Sequence, residues 1–224
     1  DEQDPILTGD RSQVLAPVSS RNEPRDLVAR IALSLVPPGS MVNLGAGIPM
    51  YDVPEAARGG ERTDIYFTVE QGPMGGWPRA GGVARQPDGI WPQLDVFDFY
   101  EGGGPDVSIL SFGQVDARGN INVSKFGGMM PGCGGFTNIV HGVKNLIFCG
   151  TLTTGGLAES VTPDGLGISL EGRVKKFVAV VEQITLNAAR ALERGATITI
   201  VTDRGVFAVS RQGLTLTHVV PGVD

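Results

Sequence analysis

The chain of 224 residues is 41% hydrophobic and 19% charged, which supports a sizeable core and excludes a largely disordered chain. A net charge of −6 with scattered Lys and Arg argues against a nucleic-acid or anionic-membrane surface. No apolar run approaches the ~20 residues that cross a bilayer, so no membrane partner is expected.

Residues 1–22 lack periodicity and read as an arm or interdomain linker ahead of a single domain over 23–224. A helix is expected from about Pro24 to Leu35. Asn22 would cap it, Pro24 suits its first turn, and Leu27, Val28, Ile31 and Leu35 fall on one face. `SMVNLGAGIP` then reads as a short buried strand, Met41–Leu44, feeding a glycine turn and a helix. `IYFTVE`, `DVSILSF` (106–112) and `NLIFCGTL` (145–152) are further strands, and their near-continuous apolar character suits a sheet covered on both faces. Hairpin turns are expected at Arg118-Gly119-Asn120, at Glu171-Gly172 and at Gln212-Gly213, with `RVKK` (173–176) as a solvated hairpin face. `ITLNAARALERG` is a helix stopped by Gly195, and `ATITIV` a strand after it. The pattern is one mixed α/β domain whose loops gather at strand ends, where open sheets bind ligands.

Cys133 and Cys149 form no CxxC pair and read as buried free thiols of a reducing, cytoplasmic compartment. His141, in a turn, and His218, in a terminal hairpin, are too isolated for a zinc site, and no metal is expected. Glycine is the outlier: 33 of 224 residues, clustered after apolar strands where a chain turns sharply or approaches a ligand. `GAGIP` (45–49) lacks the third glycine of a dinucleotide fingerprint, and neither a Walker A motif nor GxSxG occurs. `MMPGCGGFTNIV` (129–140) sets three glycines within Gly132–Gly135 before a helix starting near Phe136. That is either a tight packed turn or a set of backbone N–H groups for an anion or oxyanion. `YEGGGPD` (100–106) carries the same ambiguity.

Glu70 poses the sharper question. It ends an apolar strand, and Gly72, Gly75 and Gly76 follow at once, leaving space for a bulky partner. By residue chemistry it is either a solvated or capping carboxylate, or a nucleophile for an acyl group if backbone donors stabilise the oxyanion. Trp77 and Trp91, in `WPRAGGVARQPDGIWP`, would then help shape an acyl pocket or serve ordinary packing.

The collinear segments `VNLGAGIP`, `FTVEQGPMGG`, `FDFYEGGGPDVSILSFGQVDARGNINVSKFG`, `PGCGGFTNIV`, `FCGTLTTGGL`, `EGRVKKFV` and `VPGVD` resemble the family I CoA-transferases. The likeness is to the C-terminal, β-subunit-like half of the acetate/propionate type, over about residues 24–224. The resemblance implies the NagB/RpiA/CoA-transferase-like α/β fold: an open mixed sheet with helices on both faces and added β-hairpins. It implies Glu70 as the nucleophile, Gly134 and Gly135 as oxyanion or CoA-binding residues, and Asn43, Gly45, Gly47, Gly72, Gly75 and Gly76 as cleft lining. It implies no permanently bound cofactor, with coenzyme A as substrate and covalent intermediate. Its partners would be an acyl-CoA, a small carboxylate and an α-type half, in an oligomer. Nothing here matches that half, so the chain is expected to be a β half, a fragment or an excised domain. A hydrolase on the same scaffold and a non-catalytic ligand-binding or assembly domain are the rival readings.

Overall fold

The computed structural model of the protein describes residues 23–60 and 62–223; the arm expected over 1–22, and the Asn22 cap with it, lie outside the described residues. In chain order the elements are α1 (Pro24–Ser34), β1 (Met41–Leu44), α2 (Ile48–Tyr51), α3 (Val53–Gly59), β2 (Tyr66–Thr68), β3 (Pro73–Met74), β4 (Trp77–Arg79), β5 (Val83–Arg85), β6 (Gly89–Ile90), α4 (Gln93–Glu101), β7 (Val107–Ser111), β8 (Gln114–Asp116) and β9 (Ile121–Asn122). The second part carries α5 (Phe136–Gly142), β10 (Asn145–Cys149), β11 (Thr153–Thr154), β12 (Ala158–Thr162), β13 (Gly165–Leu170), β14 (Val174–Lys175), β15 (Phe177–Val178), α6 (Ala188–Glu193), β16 (Thr197–Val201), β17 (Gly205–Ser210) and β18 (Gly213–Val219).

Nine strands form the main sheet in the order β18-β17-β16-β10-β7-β1-β2-β3-β6. Its centre, β16-β10-β7-β1-β2, is parallel, and antiparallel strands finish both edges. Side-chain alternation splits the core in two. Val42, Leu44, Phe67, Ile109, Ile147 and Val201 pack with α1, α2 and α3 on one face. Leu110, Leu146, Phe148, Ile198 and Ile200 pack with α4, α5 and α6 on the other. Each of these large side chains contributes roughly 1.5–3 kcal/mol by leaving water. Burial on both faces is why the central strands read as continuous apolar runs.

α1 starts at Pro24 as expected, with Glu23 at the N-cap position. Its buried face is Val28, Ala29, Ala32 and Leu33 rather than the stripe through Leu35, which is exposed at the C-cap. The two alanines allow the helix to lie close to the sheet. The third helix is shorter than its apolar pattern: the Asn187 side chain accepts from the Arg190 N–H and starts α6 at Ala188, and Gly195 with φ +80° follows its end.

Two of the three expected hairpins form, β8–β9 and β17–β18. Glu171-Gly172 is not a hairpin: β13 pairs back with β12, while β14 pairs with β11. The reason is steric and electrostatic. A Cβ on Gly172 would lie 2.6 Å from the Thr154 carbonyl oxygen, and Arg204 holds Glu171 through two hydrogen bonds of 2.9 and 2.7 Å. Of `RVKK`, residues 173–175 are solvated as expected, but Lys176 turns inward with its Nζ 5.2 Å from the Phe112 ring centre. Burial pulls its ammonium pKa down. Cys149 is buried, whereas Cys133 is exposed on the glycine loop, against expectation. His141 lies in the last turn of α5, not in a turn between elements. Among the described residues no helix is long and apolar enough to cross a membrane.

Candidate active site

The parallel strands deliver their C-terminal ends to one edge of the sheet, and β2 brings Glu70 there. After Thr68 the chain reverses at once: the Gly72 N–H donates to the Val69 carbonyl at 3.1 Å, and the Val69 N–H to Pro73 at 3.2 Å. Glu70 therefore stands on the crest of a tight turn between β2 and β3. Gly72, at φ +125°, takes a backbone angle that other residues rarely adopt.

The carboxylate is half-buried against the glycine loop. A methyl group on Gly135 would collide with Glu70 Oε2, and its Cβ would lie 2.5 Å from Phe97 Cε1 of α4. Gly135 has an ordinary helical backbone (φ −76°), so the requirement for glycine is one of contact, not of conformation. Gln71 Nε2 donates to Glu70 Oε1 at 3.3 Å. No ion pair to Glu70 occurs among the described residues, and burial raises its pKa above the usual glutamate value.

Glu70 opens onto a cleft of about 330 Å³. One wall is the loop Pro131–Gly135; the other is apolar, with Leu44, Met50, Leu110, Val123, Phe136 and Ile139. None of the described residues lining it is Lys, Arg or His. Gly134 lies on the open side, with nothing within 4 Å of where its Cβ would be. Among the described residues no hydrogen bond engages the backbone N–H groups of Gly134 or Gly135. The arrangement offers an unpaired, partly desolvated carboxylate beside two available donors.

The other expected site residues divide. Gly45 lines the cleft, and its N–H donates to Ile109 at 2.9 Å. Gly47 sits one turn away, where a Cβ would come 2.6 Å from Ser111 Oγ. Asn43 is fully buried beneath the cleft rather than on its wall. The space beside Gly72, Gly75 and Gly76 is filled by the protein itself: the Trp91 carbonyl, the Asp88 carboxylate and the Arg85 carbonyl occupy it. The clearing for a ligand is at Gly134 instead. Trp77 packs on Phe67 and Trp91 on Phe99, and neither lines the cleft, so both tryptophans serve packing. Residue reading alone missed Phe97, Tyr100 and Ser111. The spacing of Val96 and Tyr100, one helical turn apart on the buried side of α4, is the signal that marks that face.

No family model matches the chain. Its fold and the carboxylate at its strand ends define a CoA-transferase-like α/β domain: it superposes on acyl-CoA transferase YdiF of Escherichia coli O157:H7 in a thioester complex with CoA, with a TM-score of 0.86 and 42% identity over 98% of this chain and 41% of that one. In sequence it is 43% identical to acetate CoA-transferase YdiF of Escherichia coli K12, over 89% of this chain and 38% of the relative. Caffeate CoA-transferase of Acetobacterium woodii is 36% identical over 89% of this chain and 40% of its own length. The β-type polypeptide of a 3-oxoadipate CoA-transferase from Pseudomonas knackmussii is 29% identical, over 49% of this chain and 47% of that polypeptide. The chain thus belongs to the family I CoA-transferases as a β-type half, spanning about two-fifths of the length of the first two relatives.

Proposed function

We propose that the chain carries the nucleophile of an acyl-CoA:carboxylate CoA-transferase, and that the nucleophile is Glu70. The observation that carries this reading is the seating of the Glu70 carboxylate against Gly135, beside the backbone donors of Gly134 and Gly135 in an apolar cleft. Glu70 attacks the thioester carbonyl carbon, the C–S bond breaks, and CoA leaves as thiolate from an acyl-glutamyl anhydride. The thiolate then attacks the glutamyl carbonyl, the C–O bond to the acyl group breaks, and the first carboxylate departs from a glutamyl-CoA thioester. A second carboxylate reverses both steps and leaves as the new acyl-CoA, in ping-pong fashion.

Burial suits Glu70 to this role, because a carboxylate stripped of water and held by no cation is a better nucleophile than a paired one. Positioning beside the thioester supplies about 7–11 kcal/mol of barrier reduction, and one well-aimed backbone donor about 3–4 kcal/mol more. The cleft is completed by an α-type half, supplied by another segment or another polypeptide, in an oligomer. An acyl-CoA substrate and two unpaired thiols fit a reducing, cytoplasmic setting. The solved relative in thioester complex with CoA supports the covalent route.

The test is intact mass after incubation with a short-chain acyl-CoA, with and without an α-type half, followed by borohydride or hydroxylamine trapping. A CoA adduct on the 65–82 peptide is expected, absent in Glu70→Ala. An adduct that persists in Glu70→Ala, or none at all beside a competent α half, ends this reading.

A further inference from the structure

Beneath the cleft a row of polar side chains crosses three apolar strands. Asn43 of β1 stands in register with Thr68 of β2 on one side and Ser108 of β7 on the other. All three are fully buried, and so is Tyr100, which α4 lays over the row. Ser108 Oγ donates to Asn43 Oδ1 at 2.7 Å, Asn43 Nδ2 donates to Tyr100 OH at 3.0 Å, and Tyr100 OH donates to Thr68 Oγ1 at 2.8 Å. Thr68 lies two residues before Glu70, at the end of the strand before the crest.

Such a row is costly in a sheet core, where four apolar side chains would pack as well and need no partners. Its direction is fixed by chemistry. The Asn43 amide can only donate through Nδ2, so the Tyr100 oxygen accepts and its single proton must pass on to Thr68. Every donor therefore points from β7 toward β2, and the Thr68 proton is left for the strand end that carries Glu70. The phenol and the carboxylate are near enough for the Glu70 charge to oppose ionisation of Tyr100, after the larger effect of burial.

We infer that the row Ser108–Asn43–Tyr100–Thr68 is a positioning relay for Glu70, orienting its dipoles so as to favour the carboxylate and hold the crest of the turn. The titratable groups around Glu70 are Tyr100 on α4 and Cys133 on the glycine loop, with no cation lining the cleft among the described residues. The relay thus does for the carboxylate what a cation does elsewhere, without neutralising it. The inference rests on Glu70 being the reactive group, but its test does not need turnover.

The measurement is the carboxyl titration of Glu70 by 13C NMR of glutamate-labelled chain, assigned by the signal lost in Glu70→Gln. Tyr100→Phe and Thr68→Val should move the midpoint upward, since the donors that favour the anion are removed. Thr68→Ser should restore it, and Ser108→Ala, the mildest lesion, should give a smaller move in the same direction. With an α-type half present, Tyr100→Phe should slow adduct formation about tenfold at unchanged KM for acyl-CoA, the scale of a modest misplacement. A midpoint unmoved in folded Ser108→Ala and Thr68→Val, or a Thr68→Ser variant no better than Thr68→Val, overturns the relay. Absence of any wild-type adduct overturns the transferase reading instead and leaves the titration to decide this one.

Discussion

Two groups of carboxylates sit near the C-terminal ends of the same parallel strands, and they are treated in opposite ways. At β2, Glu70 is half-buried with no cation, against a loop of glycines. Beyond β10 and β16, Arg204 forks onto Glu171 and also reaches Asp203 at 3.3 Å, while Asp203 accepts the Leu152 N–H at 2.6 Å. The Arg204 hydrogen bonds hold the Glu171 pKa down at about 2. The contrast separates a carboxylate kept for chemistry from carboxylates used as fasteners. Charge near a strand end does not mark a site; charge left without a partner does.

The comparison is broken most severely at Glu70. Glu70→Gln should cut CoA-adduct formation by about 10⁴-fold or more, the scale of losing a nucleophile, with the fold intact by circular dichroism. Because burial raises its pKa, the folded state holds the proton more tightly than the unfolded chain. Stability is then lost as pH rises from the ordinary glutamate range through the raised value. The same Glu70→Gln variant should therefore melt higher than wild type at neutral pH and equally at acid pH.

A smaller break is Gly135→Ala. Its backbone angle tolerates alanine, so thermal stability should change little, while the displaced carboxylate should lose about 10²-fold in turnover beside an α-type half. Gly134→Ala faces open space and should cost activity less through contact, though its φ of +50° strains an alanine.

On the other side, Arg204→Ala should lower unfolding free energy by about 3 kcal/mol at most, since Asp203 is fully buried but Glu171 is half exposed. Urea melts would measure it. The adduct rate per folded molecule should not change, and if it does, the two clusters are not separate. The smallest effect belongs to Glu159, whose pKa burial and the neighbouring Asp203 raise to about 7. A raised folded pKa means stability present in acid and lost as pH rises to about 7. Glu159→Gln should therefore raise the melting temperature above that pH and leave it unchanged in acid.

The sheet was legible in the sequence because strands buried on both faces leave unbroken apolar runs: β1, β2, β7, β10 and β16 all fall within segments expected to be strands. Two-residue strands such as β3, β6, β11 and β14 were not, since they carry no period and form only where partners arrive from afar. The mistaken Glu171-Gly172 hairpin has the same origin, an Arg204 that lies 33 residues away. Glu70 stood out by its glycine neighbours, but for a reason the structure revises: Gly72 turns the chain, and the clearing belongs to a loop some sixty residues later. The buried row through Asn43 and Tyr100 left no trace that periodicity detects, because a pattern of burial does not say which buried polar groups will meet.

The strand order has a consequence for how the chain comes together. β1, β2, β3 and β6 build one wing and β10, β16, β17 and β18 the other, meeting at β7. Yet α1, the earliest described element, packs against β10 and β16 of the later wing. A nascent chain must hold that helix unsatisfied until more than a hundred further residues have been made. Closing so long a loop is slow but adds little entropy per residue. The reward is that neither wing is complete before the other, so the domain locks as one unit, with the first helix as the bolt.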